Sequence, residues 1–352
     1  MIQSFSHVNL GLSLTIYSGE AVVRQLNIYS AILLIFMLPS LAVATEFRVG
    51  LVLDKAGKDD QSFNASAYRG AQRAAKQLGV IVKTVEVKDA ASSESMMRAL
   101  AGRRYDVVIA VGFSHAGAVK KMAPAFLKRS FVIVDSEVKQ PNVTSVMFAE
   151  HEGAFLVGAM AAMASKTSNV GFIGGMDIPL IRRFELGYDA GAHYINPKIN
   201  VQSAYIGVTG DAFSNPPKAK ELALLQNAQG ADVIFHAAGS SGAGLFDAAE
   251  EKRFYAIGVD SNQNGVKPGR VLTSMVKAVD VAVFDAILSA KEGRLLGGNT
   301  VFHGFKTGGI EMAVDQFNKA LLTTEMLKKA DEIKNGINNG SIKVPDYYLR
   351  KI

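Results

Sequence analysis

The chain has 352 residues, of which 49% are hydrophobic and 20% are charged, and a length of this order predicts two domains. Its 38 basic and 32 acidic residues give a net charge of +6 with no long basic run, which argues against a nucleic-acid surface. The sequence contains no cysteine, which excludes disulfides, thiolate metal sites and a cysteine nucleophile.

The amino-terminal residues have the pattern of a leader. Arg24 precedes a short apolar run at residues 31–37, and Ala42-Val-Ala44 follows it. This order of charge, apolar core and small residues is typical of a secretory signal peptide, and the run is shorter than the roughly 20 residues of a membrane-spanning helix. We predict a leader and signal peptide over residues 1–44; an uncleaved anchor is the alternative. Because no cysteine is available to carry a lipid, we predict a periplasmic protein that is not a lipoprotein.

After the leader, short apolar runs alternate with longer segments of helical character. The predicted strands are 47–53, 80–87, 106–111, 131–135, 169–174, 201–206, 232–237, 254–259 and 271–274. The predicted helices are 62–78, 92–102, 115–126, 152–165, 179–195, 218–229, 242–252 and 279–291. Strict alternation predicts an α/β fold of parallel sheets with helices on both faces. The two halves of the pattern are similar in order and spacing, so we expect two doubly wound lobes with a cleft between them.

Carboxylates and glycines recur where the predicted strands end. Asp54, Asp135 and Asp260 each follow a strand, and Gly174-Gly175 and Gly239 end two others. In doubly wound sheets these ends meet at one edge, where ligands bind. The alternative for each aspartate is a cap on the following helix. Three aspartates in equivalent positions favour a shared site.

Two loops suggest binding of a polar, planar ligand. The stretch 54–70 carries carboxylates, a hydroxyl and an amide but lacks the glycine density of a phosphate cradle; the alternative is an ordinary loop capped by Asp60 or Ser62. Phe213 lies in a loop between a strand and a helix, where it is either a stacking platform or a local hydrophobic plug. The six histidines lack metal-type spacing, and no catalytic triad is apparent. We therefore predict no enzymatic activity, no cofactor and no metal.

Five motifs occur in one order across residues 47–309. They are DQSFN at 60–64, GGMDIP at 174–179 with RFELG at 183–187, VIFHAAG at 233–239, GVD at 258–260 and TSMVK at 273–277. In this combination the sequence resembles the basic membrane protein (BMP) family, the PnrA-like nucleoside receptors of ABC importers.

The resemblance implies a type I periplasmic-binding-protein fold, in which two lobes are joined by a hinge. Lobe 1 is then expected at 45–149 with about 276–310, lobe 2 at 150–275, and a helical tail at 311–352. The implied partners are a purine nucleoside and an ABC permease in the inner membrane, and the protein is expected to be a monomer.

The resemblance also implies roles for individual residues. Asn64 and Asp135 are expected to bind the purine edge, Phe213 to stack on the base, and Asp260 and Lys277 to bind the ribose hydroxyls. These types suit the chemistry, because an amide both donates and accepts while a carboxylate accepts from ring N–H groups. The complete predicted ligand-binding set is Lys58, Asn64, Asp135, Met176, Phe213, Gly239, Asp260 and Lys277.

The sequence departs from the family pattern at two positions. Lys58 stands where the nucleoside-binding members that stack the base from both sides have an aromatic residue, six positions before the asparagine. The second face of the base is then either open or covered by a cation, and we expect the Lys58 ammonium over it. Asn215 stands where many relatives have aspartate. Three alternatives therefore stay open, namely a free purine base as ligand, a flavin or other planar heterocycle, and a nucleoside-cleaving enzyme.

Overall fold

Residues 46–349 are described by the computed structural model, and within them the strands form two six-stranded sheets. The predicted leader, residues 1–44, lies outside the described residues. In chain order the elements are β1 (Arg48–Leu53), α1 (Phe63–Leu78), β2 (Ile81–Glu86), α2 (Ala90–Gly102), β3 (Val107–Val111), α3 (Ala116–Met122), β4 (Ser130–Val134), β5 (Val143–Phe148), α4 (Glu150–Ala164), β6 (Asn169–Met176), α5 (Pro179–Ile195), β7 (Asn200–Gly207), α6 (Pro216–Ala228), β8 (Val233–Ala237), α7 (Gly242–Lys252), β9 (Tyr255–Asp260), β10 (Val271–Lys277), α8 (Val279–Lys291), β11 (Thr300–His303), β12 (Ile310–Met312) and α9 (Thr324–Asn339).

The first sheet has the strand order β11-β5-β4-β3-β1-β2, and all of its pairings are parallel. The second has the order β12-β10-β9-β8-β6-β7 and is parallel except for its edge strand β12, which runs antiparallel to β10. Central strands such as β3 and β8 are buried along their whole length, as expected for parallel strands covered by helices on both faces. The α/β fold predicted from the sequence is therefore confirmed.

The chain passes between the two sheets three times. It leaves the first sheet after β5, returns to it at β11, and enters the second sheet again at β12. Residues 310–312, at the predicted start of the tail, are thus an edge strand of the second sheet. The lobe boundaries given above remain a proposal.

Three short strands were not predicted from the sequence. The polar residues Thr144 and Ser145 interrupt the apolar pattern of β5, yet both side chains are satisfied, because Ser145 Oγ accepts from the Val138 N–H at 3.0 Å and Thr144 donates to a backbone carbonyl. β11 and β12 are four and three residues long and exist through pairing with strands distant in sequence. Local periodicity carries little information about such segments.

Local sequence explains where the helices begin and end. Asp89 caps α2 through a reciprocal capping box with Ser92, and α1 ends at Gly79, which has a left-handed φ of 64°. Helices α4 and α5 approach each other closely at Gly158, because glycine has no Cβ atom. A Cβ atom there would lie only 2.1 Å from the Tyr188 carbonyl oxygen. Among the described residues, none of the helices combines the length and apolarity needed to span a bilayer.

Candidate functional site

A cavity lies between the carboxyl ends of the strands of the two sheets. It contains about 570 Å³ of space between atoms, part of it open to solvent. The first sheet contributes Asp54 and Asp135 from the ends of β1 and β4, and the second contributes Asp260 and Lys277 from the ends of β9 and β10. Other residues that line the cavity include Asp60, Phe63, Asn64, Phe113, Phe184, Phe213 and Gly239.

Six of the eight residues predicted from the sequence line this cavity together. They are Asn64, Asp135, Phe213, Gly239, Asp260 and Lys277. Residues separated by more than 200 positions in the chain therefore meet at one place, at the sheet edge where doubly wound folds bind ligands.

Lys58 lies outside the cavity. Its ammonium group pairs with Asp59 at 2.6 Å, and the side chain is 41% exposed in a separate surface depression that Tyr68 and Arg69 also line. Its backbone N–H donates to Glu86, which holds this part of the loop on the outer side of the lobe. The expectation of a lysine over the second face of a bound base is corrected accordingly.

Met176 also lies outside the cavity. It ends β6 and packs against a buried hydrophobic cluster that includes Ile173 and Ala212. Its neighbour Gly175 matters more, because a Cβ there would come within 2.4 Å of the Phe213 ring. The absence of a side chain at position 175 allows Phe213 to occupy its place at the cavity wall.

Aromatic rings from both lobes form part of the cavity wall. Phe213 and Phe113 have ring centroids 6.1 Å apart at an interplanar angle of 63°, and they come from loops of opposite sheets. Phe63 and Phe184 also line the cavity, and their ring centroids lie 4.9 and 5.8 Å from Lys277 Nζ. Of these rings, only Phe213 was predicted from the sequence. Phe63 lies in the DQSFN motif and Phe113 follows the end of a strand, and both positions could have indicated a role in the site.

Lys277 is the buried cation of the site. Its Nζ lies 2.5 Å from Asp135 Oδ2 and 3.5 Å from Glu150 Oε1, and the residue is 2% exposed. Burial by itself lowers the pKa of Lys277, but the carboxylates of Asp135, Glu150 and Asp260 outweigh it and raise the pKa above its ordinary value. The side chain is therefore charged at neutral pH.

Asp135 has one oxygen available for a ligand. Oδ2 accepts from Lys277, whereas Oδ1 is buried and has no hydrogen-bond partner among residues 46–349. The backbone at Asp135 adopts a left-handed φ of 64°, which is uncommon for a residue other than glycine. Such conformations cluster at ligand sites, where the surrounding structure maintains them.

Asp260 shares this backbone conformation, with φ of 63°. Burial raises the pKa of its carboxyl group to about 6, although Lys277 and the hydrogen bond from Ser62 act in the opposite direction. Ser62 Oγ donates to Asp260 Oδ2 at 2.6 Å, across the boundary between the two sheets. The carboxyl group of Asp260 thus lies at the cavity wall, where a bound ligand can change its degree of ionisation.

Asn64 is held by two carboxylates of its own loop. Its Nδ2 donates to Asp54 Oδ1 at 2.8 Å and to Asp60 Oδ2 at 2.9 Å, so both amide hydrogens have partners. Burial raises the pKa of Asp54, against the hydrogen bonds from Ala56 and Asn64. The amide of Asn64 therefore orients Asp54, a strand-end carboxylate that the list of predicted ligand-binding residues did not include.

Polar contacts connect the two lobes around the cavity. Ser261 Oγ donates to the Ser62 carbonyl at 2.9 Å, and Gln263 Nε2 donates to the Gln61 carbonyl at 3.0 Å. Lys55 forms an ion pair with Asp211 at the mouth. These contacts hold the rims of the two lobes together over the cavity.

No group of three or more His, Cys, Asp or Glu side chains within residues 46–349 is arranged to hold a metal ion. The arrangement can instead bind an uncharged polar molecule, since it offers carboxylate acceptors, one ammonium donor and aromatic surface.

Comparison with known proteins agrees with this geometry. The family model described as ABC transporter substrate-binding protein PnrA-like matches residues 47–347. The ABC transporter nucleoside-binding protein BmpA of Lactococcus lactis is 34% identical over 325 residues, which cover 86% of this chain and 90% of the relative. An ABC transporter solute-binding protein of Aeropyrum pernix has a crystal structure that superposes with a TM-score of 0.78 at 29% identity, covering 85% of this chain and 94% of that one. The predicted type I periplasmic-binding-protein fold, with two lobes joined by a hinge, is confirmed.

The comparison contradicts the predicted localisation. A relative in Pyrococcus abyssi that is 32% identical, with 83% of this chain and 74% of the relative covered, is named an uncharacterized lipoprotein. Others carry the name basic membrane protein. The prediction of a periplasmic protein that is not a lipoprotein is therefore wrong. It rested on the lack of cysteine and on the leader, which lies outside the described residues.

The family match extends over almost all of the described chain. A substrate-binding protein of this kind takes up a small molecule and works with a transporter permease, which is the class of function predicted from the sequence. The prediction that the protein is not an enzyme agrees with this class. The chain belongs to the Bmp family of PnrA-like substrate-binding proteins of ABC transporters.

Proposed function

We propose that the protein binds a purine nucleoside, of the inosine, guanosine or adenosine class, in the cavity between its lobes and delivers it to the permease of an ABC importer. The observation that carries this proposal is the arrangement at Asp135. Its Oδ2 accepts a hydrogen bond from the Lys277 ammonium group, and its Oδ1 is buried without a hydrogen-bond partner among residues 46–349. A buried acceptor of this kind costs free energy until a donor reaches it.

A purine supplies the required donor. In this proposal a ring N–H or exocyclic amino group donates to Asp135 Oδ1, and the base lies against Phe213. Phe113, from the other lobe, lies beside Phe213 and covers part of the same space. Asn64 contributes through its Oδ1 and by orienting Asp54, since its amide hydrogens are already used.

A ribose supplies the complementary groups at the second sheet. Vicinal hydroxyls both donate and accept, so they suit the carboxylate of Asp260 and the ammonium of Lys277. Both side chains lie at the ends of neighbouring strands, β9 and β10, and line the cavity. The backbone at Gly239 lines the same cavity.

The charge of the cavity favours a nucleoside over a nucleotide. Four aspartates, Asp54, Asp60, Asp135 and Asp260, face it with a single ammonium, Lys277. An added phosphate would bring further negative charge into a site of low dielectric, at a cost that Lys277 alone does not offset. The name of the Lactococcus lactis relative, a nucleoside-binding protein, supports the same class of ligand.

Calorimetric titration tests the proposal. Inosine should bind more tightly than hypoxanthine and far more tightly than inosine monophosphate. Asp135→Asn should weaken inosine binding by about 1.5–3 kcal/mol, the range for hydrogen bonds to charged groups, whereas Asp177→Asn, at an exposed carboxylate outside the cavity, should leave it unchanged. Chromatography of the same mixture should recover intact inosine, because release of hypoxanthine would instead indicate the enzymatic alternative.

A further inference from the structure

A continuous chain of buried charges runs from the cavity to the carboxyl-terminal segment. Lys277 Nζ lies 3.5 Å from Glu150 Oε1, and Glu150 Oε2 accepts from Arg183 Nη1 at 2.5 Å. Arg183 then pairs with Asp346 through two hydrogen bonds, from Nε at 2.8 Å and from Nη2 at 3.0 Å. Lys277 and Asp135 line the cavity, whereas Asp346 does not.

The guanidinium of Arg183 is fixed on every side. Besides the two carboxylates, its Nη1 donates to the Phe148 carbonyl at 2.7 Å, and the ring of Tyr348 lies 4.5 Å from its central carbon. The residue is only 3% exposed. A bidentate carboxylate and a stacked ring together set the plane of a guanidinium, so Asp346 and Tyr348 determine where Arg183 meets Glu150.

These contacts converge on a crossing between the lobes. Phe148 ends β5 in the first sheet, Glu150 begins α4, and Arg183 stands in the first turns of α5 beside the second sheet. Asp346 belongs to the segment that follows α9. The carboxyl-terminal segment is therefore connected to this crossing through the side chain of Arg183.

Glu150 depends on both of its cationic neighbours. It is fully buried, and burial raises the pKa of its carboxyl group to about 7 despite the opposing effects of Lys277 and Arg183. An acidic group in such a place keeps its charge only while its counterions stay in position. If Arg183 moved, Lys277 would be the remaining cation beside Glu150. We then expect Lys277 to move towards Glu150 and away from Asp135.

We propose that the carboxyl-terminal segment at Asp346–Tyr348 sets the position of Lys277 in the ligand cavity, through Arg183 and Glu150. Asp346 is thus a positioning residue of the binding site that touches no ligand. The choice of inosine as probe rests on the proposed function, but the contacts from Asp346 through Arg183 and Glu150 to Lys277 do not.

Titration of Asp346→Asn with inosine tests the inference. The change removes the charge and keeps the size, and we expect affinity to fall about 2- to 30-fold, the range observed for coupling through packed networks. Asp331→Asn, at an exposed carboxylate of α9, is the matched control and should bind inosine like the parent. Tyr348→Ala should cause a smaller loss in the same direction, and it replaces Asp346→Asn if that variant fails to fold. Parental affinity in both segment variants would overturn the inference.

A double-mutant cycle separates positioning from a general loss of stability. If Asp346 acts through Lys277, then Asp346→Asn should have little effect on inosine affinity in a Lys277→Gln background. If Asp346→Asn lowers inosine affinity by the same factor in the parent and in the Lys277→Gln variant, the two residues act independently, and the inference is overturned.

Amide hydrogen exchange of the ligand-free protein keeps the two proposals apart. Asp346→Asn should accelerate exchange at residues 148–152 and 275–278, whether or not inosine is the ligand. Unchanged exchange there, with the parent failing to bind inosine, would count against both proposals. Faster exchange in Asp346→Asn, together with a parent that does not bind inosine, would support the connection from Asp346 through Arg183 and Glu150 to Lys277. It would reject only the proposal that the ligand is a purine nucleoside.

Discussion

The ionisation of Asp260 makes nucleoside binding depend on pH in a way that one substitution should abolish. Burial raises the pKa of this carboxyl group to about 6 in the ligand-free chain, and the proposed ribose contact requires the ionised form. At pH 8 almost all molecules carry the charge. At pH 5 only about one in eleven does, so affinity for inosine should be roughly tenfold lower there.

Asp260→Asn removes this titration and the acceptor charge together. We expect the variant to bind inosine about 1.5–3 kcal/mol more weakly at pH 8, and the part of the pH dependence that comes from Asp260 to disappear. Affinity for hypoxanthine, which lacks the ribose, should change little.

Stability without ligand should respond in the opposite direction. Because the pKa of Asp260 in the folded state lies above its ordinary value of 3.8, the folded protein takes up a proton between about pH 6 and pH 4 that the unfolded chain does not. Its contribution to stability therefore rises as the pH falls through this window, and Asp260→Asn should remove that rise. Glu150 acts in the same direction, so the difference between the parent and the variant isolates Asp260.

Calorimetry with inosine and hypoxanthine between pH 5 and pH 8, with urea unfolding over the same range, measures both effects. The reasoning fails if inosine binds the parent equally at pH 5 and pH 8, or if Asp260→Asn weakens binding of both ligands to the same extent.

Further predictions concern the aromatic wall and the mouth of the cavity. Phe213→Ala should weaken nucleosides and free purines alike by about 1–3 kcal/mol in calorimetry, because stacking and apolar burial are lost for both; parental affinity would refute the stacking role. Lys58→Ala should bind inosine like the parent, since Lys58 lies outside the cavity, and a clear loss would restore its predicted role. Gly175→Ala should weaken inosine binding, because the new Cβ would stand 2.4 Å from the Phe213 ring; unchanged binding would mean that the ring can move freely. Lys55→Ala removes the exposed ion pair with Asp211 and should cost less than about 1 kcal/mol of affinity, an effect that disappears at high salt; a larger, salt-independent loss would mean that Lys55 contacts the ligand.

The sequence was sufficient for the architecture because long parallel strands leave a strong signal. Continuous apolar runs at β1, β3 and β8 are typical of strands buried on both faces, and they alternate with helices throughout. β11 and β12 were missed because each exists only through pairing with a distant strand. Local pattern does not report such pairing.

The residues of the candidate site were predictable where a strand end fixes them. Asp135, Asp260 and Lys277 close their strands, so topology alone brings them to one edge of the sheets. Lys58 was misplaced because it lies in a loop whose path depends on a hydrogen bond to Glu86 in another strand. A motif aligns loop residues in sequence but does not specify which way their side chains leave the loop.

The roles of Glu150 and Arg183 could not be predicted from the sequence. Neither ends a strand, and their partners Lys277 and Asp346 lie 127 and 163 positions away. Only the three-dimensional structure shows that charges so distant in the chain form one buried network.

Native mass spectrometry of the protein with a mixture of candidate ligands tests whether the cavity selects a purine nucleoside. The protein is incubated with an equimolar mixture of inosine, guanosine, adenosine, uridine, hypoxanthine and riboflavin, and the mass of the complex identifies the molecule that binds. We expect one bound purine nucleoside per chain and little occupancy by the other compounds. A complex dominated by riboflavin, hypoxanthine or uridine, or a protein that remains free in the mixture, would contradict it.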